Sequence, residues 1–245
     1  MTTRGGAQVI PRPPGCRAGG PAPWADLPPE GRSLDLASLR RAFDGRVGAP
    51  SAVEGNEEVA PSAVLACFWE GADGLEVLLT RRSANLRAHK GEMAFPGGRS
   101  EAGEVLVDAA LREANEEVGL DLSTVEVLGE LDHLMTVTSR SFIVPLVATV
   151  PSPPAGLVAN AAEVDEIRFA PVPELLLDEV YREEVWTFPA NAMRGDGGVP
   201  GGTVERPIFF FELVGDTVWG ATGAMLRQLL WLATGTVARG QLDHV

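Results

Sequence analysis

The amino-acid sequence predicts an α/β fold in which a mixed β-sheet lies between helical layers. Apolar runs with the length and composition of buried strands, the first at 63–69, occur before, between and after two stretches with helical periodicity. One of these stretches ends at Gly119, and the other runs from about Trp219 to Thr234. Strands and helices in this order build a sheet whose faces are covered by helices, which is an αβα sandwich.

Length, composition and charge exclude several classes of protein. The chain has 245 residues, of which 45% are hydrophobic, so it can bury a sizeable core. It contains no apolar run of about 18 residues and no secretory signal, so we expect no membrane-spanning helix and a cytoplasmic location. Cys16 and Cys67 lie in unlike surroundings, which argues against a structural disulfide. The net charge of −14 argues against nucleic-acid or membrane binding, but not against a small substrate that carries phosphate.

The chain is expected to consist of an N-terminal arm and one domain. Residues 1–32 are rich in Pro and Gly, so we predict an extended, mobile arm that forms no regular β-ladders. Trp24 and Leu27 are the residues with which this arm could dock. A dimer contact through the arm, and hence a homodimer, stays open. Residues 33–240 are predicted to form a single domain.

The domain begins with a short helix and a hairpin. The helix is expected to run from Ser33, its predicted N-cap, to Phe43. The hairpin is expected to join strands at 61–69 and 75–80 through a glycine-containing turn at 71–74.

The rest of the domain follows in the same way. An acidic connection at 44–60 separates the first helix from the hairpin. A short helix is expected to begin near Pro173. The glycine stretch at 195–202 lacks the Lys-Ser/Thr pair of a P-loop, so we predict a hairpin insert there. The other predicted strands are 125–131, 141–150, 162–170, 185–188 and 207–213.

Three glutamates mark one side of the helix that ends at Gly119. Glu113, Glu116 and Glu117 lie at i, i+3 and i+4, so they share an arc of the helix surface beside its apolar side. Like charges about 5 Å apart repel by about 3 kcal/mol at an effective dielectric near 20. A hard divalent cation such as Mg²⁺ would offset this repulsion. The alternative is a solvated acidic surface supported by Arg112 paired with Glu116.

The spacing around these glutamates favours the metal site. Gly98 is followed after five residues by Glu104, and after seven more by Arg-Glu-Ala-x-Glu-Glu-x-Gly-Leu at 112–120. The segment 98–120 resembles the signature of the Nudix hydrolases at every defined position. The resemblance implies a Nudix-type αβα sandwich and an enzyme that uses Mg²⁺ or Mn²⁺ to hydrolyse a phosphoanhydride.

The resemblance also implies roles for individual residues. Glu113 and Glu117 are the expected metal ligands, with Glu116 as a third, and the carbonyl group of Gly98 could complete the coordination shell. Glycine at this position lets the main chain approach closely.

Two further roles in catalysis follow from the same signature. Arg112 is expected to orient a carboxylate, that of Glu104 or Glu116, rather than to touch substrate. The general base is left open between Glu116 and Glu163.

A second motif precedes the signature. Residues 78–98 contain Leu-Leu-Thr-x-Arg-Ser, then Arg, Gly and Phe-Pro-Gly-Gly at fixed intervals, and they resemble the coenzyme A diphosphatase branch of the family. Arg82 and Arg87 are therefore expected to bind the substrate, because arginine forms charge-assisted pairs with phosphates. The alternative is that both are loop arginines that pair with nearby acids. Phe95 is a further candidate for substrate binding, against a role in packing the turn, and His89 is expected to fix the loop.

The function that these motifs imply is hydrolysis of the diphosphate of coenzyme A or its derivatives. The products would be 4′-phosphopantetheine and adenosine 3′,5′-bisphosphate. One alternative is a Nudix hydrolase of another small nucleotide, such as ADP-ribose, NADH or a nucleotide sugar. A second is a sensor of Nudix fold that binds a nucleotide without turning it over.

Overall fold

A mixed β-sheet forms the centre of the computed structural model, which describes residues 4–50, 61–136, 142–189 and 202–236. Within these ranges the main sheet has eight strands in the order β10-β4-β3-β9-β7, with β5 beside β4, β6 beside β3 and β8 beside β9. The strands are β1 (Gly5–Gly6), β2 (Arg17–Ala18), β3 (Ser62–Gly71), β4 (Gly74–Arg82), β5 (Met93–Ala94), β6 (Gly97–Arg99), β7 (Glu126–Glu130), β8 (Leu134–Met135), β9 (Phe142–Thr149), β10 (Val164–Pro171), β11 (Tyr181–Pro189) and β12 (Thr203–Trp219). In the main sheet only the pairing of β3 with β9 is parallel among the described strands.

Helices cover both faces of this sheet, so the predicted αβα sandwich is confirmed. The helices are α1 (Leu36–Phe43), α2 (Leu106–Val118), α3 (Val172–Leu175) and α4 (Gly220–Thr234). Alternate residues of β3 point to opposite faces. Leu65 and Cys67 pack in a buried cluster with Ala110 and Ala114 of α2. Phe68 packs on the other face, in the larger cluster that contains residues of α1 and α4.

A second sheet was not expected as a separate unit. In the described part of the chain it has four strands in the order β1-β12-β11-β2. Its strand β12 is longer than the predicted 207–213, because it continues past Gly215, where a φ of 82° suits glycine. The inner face of this sheet contributes Phe209 and Phe211 to the larger core cluster.

The N-terminal arm is docked on this second sheet. Strand β1 pairs with β12, and β2 pairs with β11, so the expectation that the arm forms no β-ladders is wrong at these two places. The side chain of Trp24 is completely buried, and its Nε1–H donates to the carbonyl oxygen of Leu176 at 3.0 Å. Burial of a large aromatic ring together with its hydrogen bond explains why a Pro/Gly-rich segment is held here.

The first helix begins later than predicted. Its N-cap is Asp35 rather than Ser33, because the carboxylate of Asp35 accepts a hydrogen bond of 2.7 Å from the backbone N–H of Ser38. The last helix ends as predicted, with Gly235 in the left-handed conformation.

Three predictions fall outside the residues that the structure describes. These are the acidic connection over 51–60, the start of a strand at Ser141, and the hairpin insert over 195–201. No helix of the described chain is long and apolar enough to cross a bilayer.

Candidate active site

Three carboxylates converge at one end of α2. Glu113 and Glu117 are one helical turn apart, and Glu163 immediately precedes β10; one oxygen from each lies within 4.8 Å of the other two. Glu163 reaches this position because its loop is bonded to two elements. The backbone N–H of Asn160 donates to the carbonyl of Glu117 at 2.9 Å, and that of Ser83 donates to the carbonyl of Glu163 at 2.8 Å. We call Glu113, Glu117 and Glu163 the carboxylate cluster.

The glycine turn before α2 closes one side of the carboxylate cluster. Strand β6 pairs Gly98 with Ala63 and Gly97 with Val64, which holds both glycines under the helix. A Cβ atom on Gly98 would lie 2.5 Å from the carboxyl carbon of Glu113, so a larger residue here would displace this side chain. The backbone N–H of Gly97 donates to Oε2 of Glu117 at 3.2 Å.

Burial makes the cluster unfavourable for negative charge. The side chain of Glu117 is only 3% exposed, and its burial raises the pKa of the carboxyl to about 7. Burial also raises the pKa of Glu113, although Arg112 opposes this effect. A buried carboxylate needs a compensating positive charge to remain ionised near neutral pH. The solvated-surface alternative therefore does not describe Glu117.

Arg112 connects the carboxylates along the helix. Its Nε and Nη2 donate to the two oxygens of Glu104 at 2.9 and 3.1 Å, and its Nη1 donates to Glu113 at 2.9 Å and to Glu116 at 3.1 Å. These bonds hold the carboxylates of the three glutamates in place, and the orienting role of Arg112 in catalysis stays a prediction.

Glu116 lies outside the carboxylate cluster. Its side chain is 56% exposed and rests on Arg112, as in the surface pairing considered above. Its predicted roles, as a third metal ligand and as the general base, stay predictions.

Arg82 lies beside the carboxylate cluster, and the buried Nε atom of its guanidinium group has no hydrogen-bond partner in the described part of the chain. Arg82 ends strand β4 opposite Val164, and its charge lowers the pKa of Glu117, against the larger effect of burial. Arg87 is exposed, whereas Arg81 is engaged elsewhere, in ion pairs with Glu166 and Asp216.

Two further residues of the segment 78–98, which we call the arginine loop, are held by protein contacts. Phe95 is 2% exposed and belongs to the larger core cluster, so the contacts support its packing role, and substrate binding by its ring stays a prediction. His89 has a φ of 56°, and its Nδ1 lies 3.0 Å from Oε2 of Glu92, which raises the pKa of the histidine. This contact fixes the loop, as expected.

Comparison with known proteins identifies the family. The model of the NUDIX domain family matches residues 60–190, more than half of the chain. The chain belongs to the Nudix family. Nudix hydrolase 3 of Caenorhabditis elegans is 30% identical over 176 residues, which cover 68% of this chain and 70% of the relative. The Nudix hydrolase NudL of Citrobacter koseri is 42% identical over 154 residues, covering 62% of this chain and 72% of the relative.

A solved structure is also similar to this Nudix protein. It is a MutT/nudix family protein from Enterococcus faecalis, with 18% identity and a TM-score of 0.42, and the match covers 72% of this chain and 62% of that one. The family assignment does not depend on this structure.

The family fixes the class of chemistry. This Nudix protein is a hydrolase of a phosphoanhydride, and its substrate is a small nucleotide. Nudix hydrolases generally use divalent metal ions, and the carboxylate cluster offers the donor set that such an ion prefers, since all three side chains supply oxygen. The neighbouring carboxylates raise the pKa of Glu117 further, and a cation bound between them would allow Glu117 to be ionised while buried.

The sequence did not reveal two features of this site. Glu163 was expected only as a base, but its carboxylate belongs to the carboxylate cluster; no spacing along the chain links it to α2. Asp216, 2% exposed, accepts hydrogen bonds from Arg81 and Arg168 and joins β12 to β4 and β10. The only signal for Asp216 was an acid inside an apolar strand, which does not name its partners.

The stabilisation of this Nudix protein by Mg²⁺ is expected to grow with pH. Glu117 must lose its proton to bind a cation, and its pKa of about 7 means that protons compete with the metal below neutral pH. We expect the increase in Tm on addition of MgCl₂ to be larger at about pH 8 than at about pH 5.5. Calorimetry with MgCl₂, and with NaCl at the same ionic strength as the control, measures it. Equal increases at both pH values would show that Glu117 does not bind the ion.

Proposed function

We propose that the chain hydrolyses the diphosphate of coenzyme A or its derivatives, in the cytoplasm, with Mg²⁺ or Mn²⁺. Water attacks one phosphorus atom, the bond from that phosphorus to the bridging oxygen breaks, and the bridging oxygen leaves with the other phosphate. The products are 4′-phosphopantetheine and adenosine 3′,5′-bisphosphate. The bound metal would neutralise the non-bridging oxygens and lower the pKa of the attacking water.

The observation that carries this proposal is the position of Arg82. A diphosphate beside the carboxylate cluster brings negative oxygens, and Arg82 lies there with a buried Nε that has no partner in the described chain. A guanidinium group can bind two oxygens of a phosphate at once. Its loop, residues 78–98, matches the pattern of the coenzyme A diphosphatase branch, and Arg87 on the same loop is exposed and able to meet a second phosphate.

The roles of the acidic residues follow from the geometry. We propose Glu113 and Glu117 as metal ligands, with the carbonyl group of Gly98 beside them. Glu163 is supported better than Glu116 as the general base, because the carboxylate of Glu116 is held by Arg112 while that of Glu163 faces the other two acids.

A panel of substrates tests the proposed activity. Purified protein with MgCl₂ is assayed against coenzyme A, 3′-dephospho-coenzyme A, ADP-ribose, NADH and 8-oxo-dGTP, with the products identified by mass spectrometry. We expect the highest kcat/KM for coenzyme A. A preference for ADP-ribose, NADH or 8-oxo-dGTP would overturn coenzyme A as the proposed substrate but leave the family assignment unchanged. A protein that binds one of them and turns over none would be a sensor.

Substitution of Arg82 and of Arg87 is expected to show which phosphate of the substrate each arginine contacts. Arg82→Ala should lower kcat/KM for every diphosphate by about 10- to 100-fold, because a hydrogen bond to a charged group contributes about 1.5–3 kcal/mol. Arg87→Ala should lower the preference for coenzyme A over its 3′-dephospho form if Arg87 binds the 3′-phosphate. Steady-state kinetics measure both effects.

Arg40→Ala is the control for these variants. Arg40 pairs with Glu126 on the surface through two hydrogen bonds, away from the carboxylate cluster, so its removal should leave kcat/KM unchanged. If the Arg82→Ala variant had the same kinetics as the Arg40→Ala variant, Arg82 would not contribute to substrate binding.

A further inference from the structure

The N-terminal arm lies outside the family match, yet it contacts the loop that carries Arg82. Strand β1 pairs in parallel with β12, Gly5 with Val214 and Gly6 with Gly215. Two residues later, the side-chain amide of Gln8 lies against the backbone of Thr217.

Gln8 forms a bridge between β12 and the arginine loop. Its Oε1 accepts from the backbone N–H of Thr217 at 2.9 Å, and its Nε2 donates to the carbonyl of Thr217 at 3.1 Å. The same Nε2 also donates to the carbonyl of Gly91 at 3.4 Å. An amide group satisfies all three contacts because it supplies both an acceptor and a two-hydrogen donor. Gly6 leaves room for this amide, since a Cβ there would lie 2.3 Å from Oε1 of Gln8.

Gly91 is the residue through which the bridge reaches Arg82. The backbone N–H of Gly91 donates to the carbonyl of Arg82 at 3.0 Å, and the N–H of Arg82 donates to the carbonyl of Glu92 at 3.0 Å. The main chain of Arg82 is thus held by Gly91, which Gln8 ties to β12, and by Glu92, the residue that follows Gly91. Strand β5, which follows, lies against both β4 and β12.

The strand that anchors Gln8 is itself fixed to the main sheet. Asp216, next to Thr217, accepts hydrogen bonds from Nε and Nη2 of Arg81 at 3.1 and 2.8 Å. Arg81 precedes Arg82 on β4, and their side chains point to opposite faces of that strand. The bridge from Gln8 therefore joins a part of β12 that is fixed to the main sheet to the carbonyl of Gly91 in the arginine loop.

We infer that Gln8 is a positioning residue for the substrate arginine: the arm, through the amide of Gln8, sets the geometry of the Arg82 loop beside the carboxylate cluster. This rests on the proposed contact between Arg82 and the substrate. Gln8 is not part of the carboxylate cluster. It acts by restricting the loop before substrate binds, which lowers the entropy lost on binding.

Two variants of Gln8 test the inference in the full-length protein. Gln8→Ala removes all three hydrogen bonds. Gln8→Glu keeps the shape and the acceptor for the N–H of Thr217, but loses the donor to the carbonyls of Thr217 and Gly91. We expect both to raise KM about threefold to tenfold, as the loss of a hydrogen bond does, with kcat changed by less than about twofold. Hydrogen exchange at the amides of Gly91 and Arg82 should become faster, while exchange in α2 and β3 should not change.

Arg17→Ala is the matched control on the same arm. Arg17 pairs with Glu205 on the surface of the second sheet and does not touch the loop, so this variant should leave KM and the exchange of the loop amides unchanged.

The outcomes separate this inference from the proposed function. The kinetics use whichever diphosphate the wild-type protein cleaves best, so loss of coenzyme A as substrate leaves the test of Gln8 intact. The hydrogen exchange needs no substrate. Unchanged exchange at Gly91 in both Gln8 variants would overturn the inference. It would also be overturned if Tm, kcat and exchange throughout the protein changed together, because that describes a general loss of stability.

Discussion

The Glu117→Gln variant is expected to lose turnover almost completely and to become more stable. We propose that Glu117 binds the metal ion that neutralises the diphosphate, and a neutral amide is a much weaker ligand for Mg²⁺ than a carboxylate. Metal ions contribute several kcal/mol of transition-state stabilisation, so kcat should fall by about 10³-fold or more. Glutamine keeps the shape of the side chain and an oxygen that can accept from the N–H of Gly97.

The gain in stability follows from the raised pKa of Glu117. The pKa is about 7 in the folded protein against 4.5 for an unperturbed glutamate, so between these values the folded state binds more protons than the unfolded state. The free energy of unfolding of the wild-type protein therefore falls as the pH rises through this window, by up to about 3 kcal/mol. In the absence of metal, Glu117→Gln should remove this loss. The variant should be clearly more stable than the wild type at about pH 8, and similar to it at about pH 4.5.

Denaturant unfolding with a chelator present, at both pH values, measures this effect. Asp108→Asn is the control on the same helix, because Asp108 is exposed and lies nine residues before Glu117, on the opposite side of α2. It should change stability little at either pH. A Glu117→Gln variant that is less stable than the wild type at the higher pH would show that Glu117 carries no unfavourable charge.

Alanine is expected to affect two neighbouring glycines differently: it should lower activity at position 98 and stability at position 97. In Gly98→Ala, the new Cβ meets the carboxylate of Glu113, which is a flexible side chain and can move away. The variant should fold, but with Glu113 displaced from the carboxylate cluster, and kcat/KM should fall by about 10²-fold. In Gly97→Ala, the Cβ would lie 2.3 Å from the carbonyl oxygen of Ala63, at a φ of 151° that side chains rarely adopt. This backbone cannot move without breaking the β6–β3 ladder, so the loss of stability should be about 3–4 kcal/mol.

Thermal unfolding and steady-state kinetics of both variants measure the contrast. Gly103→Ala is the control, because Gly103 also has a positive φ, of 81°, but nothing lies within 4 Å of its Cβ position. Its free energy of unfolding should fall only modestly, by the cost of placing an alanine at a positive φ. Full activity in Gly98→Ala would show that the position of the Glu113 carboxylate is not required for turnover.

Local patterns in the sequence predicted most of the fold. The apolar run at 63–69 predicted a buried strand, and β3 is that strand, with Phe68 and Cys67 packed on opposite faces. The left-handed glycines at 119 and 235 end α2 and α4 as expected. The prediction that the arm forms no β-ladders was wrong because composition describes only the average of a segment. Here the buried side chain of Trp24 and two short β-ladders hold the arm.

The sequence predicted only part of the carboxylate cluster, because only two of its three members lie close together along the chain. Glu113 and Glu117 are one turn apart on a single helix, so their proximity is a property of spacing alone. Glu163 lies 46 residues from Glu117. Its place in the carboxylate cluster depends on the pairing of β10 with β4 and on the loop that binds the end of α2.

The sequence by itself determined the Nudix signature, the layers of the sandwich and the charge of the helix surface, because each depends on residues a few positions apart. Only the tertiary structure decided which acids from distant segments meet, that the Nε of Arg82 is buried without a partner in the described chain, and that Gln8 reaches the arginine loop. The reason is that contacts between distant segments are set by the packing of whole elements and by which groups that packing buries. Burial in turn raises the pKa of Glu117 to about 7, a property that no short motif contains.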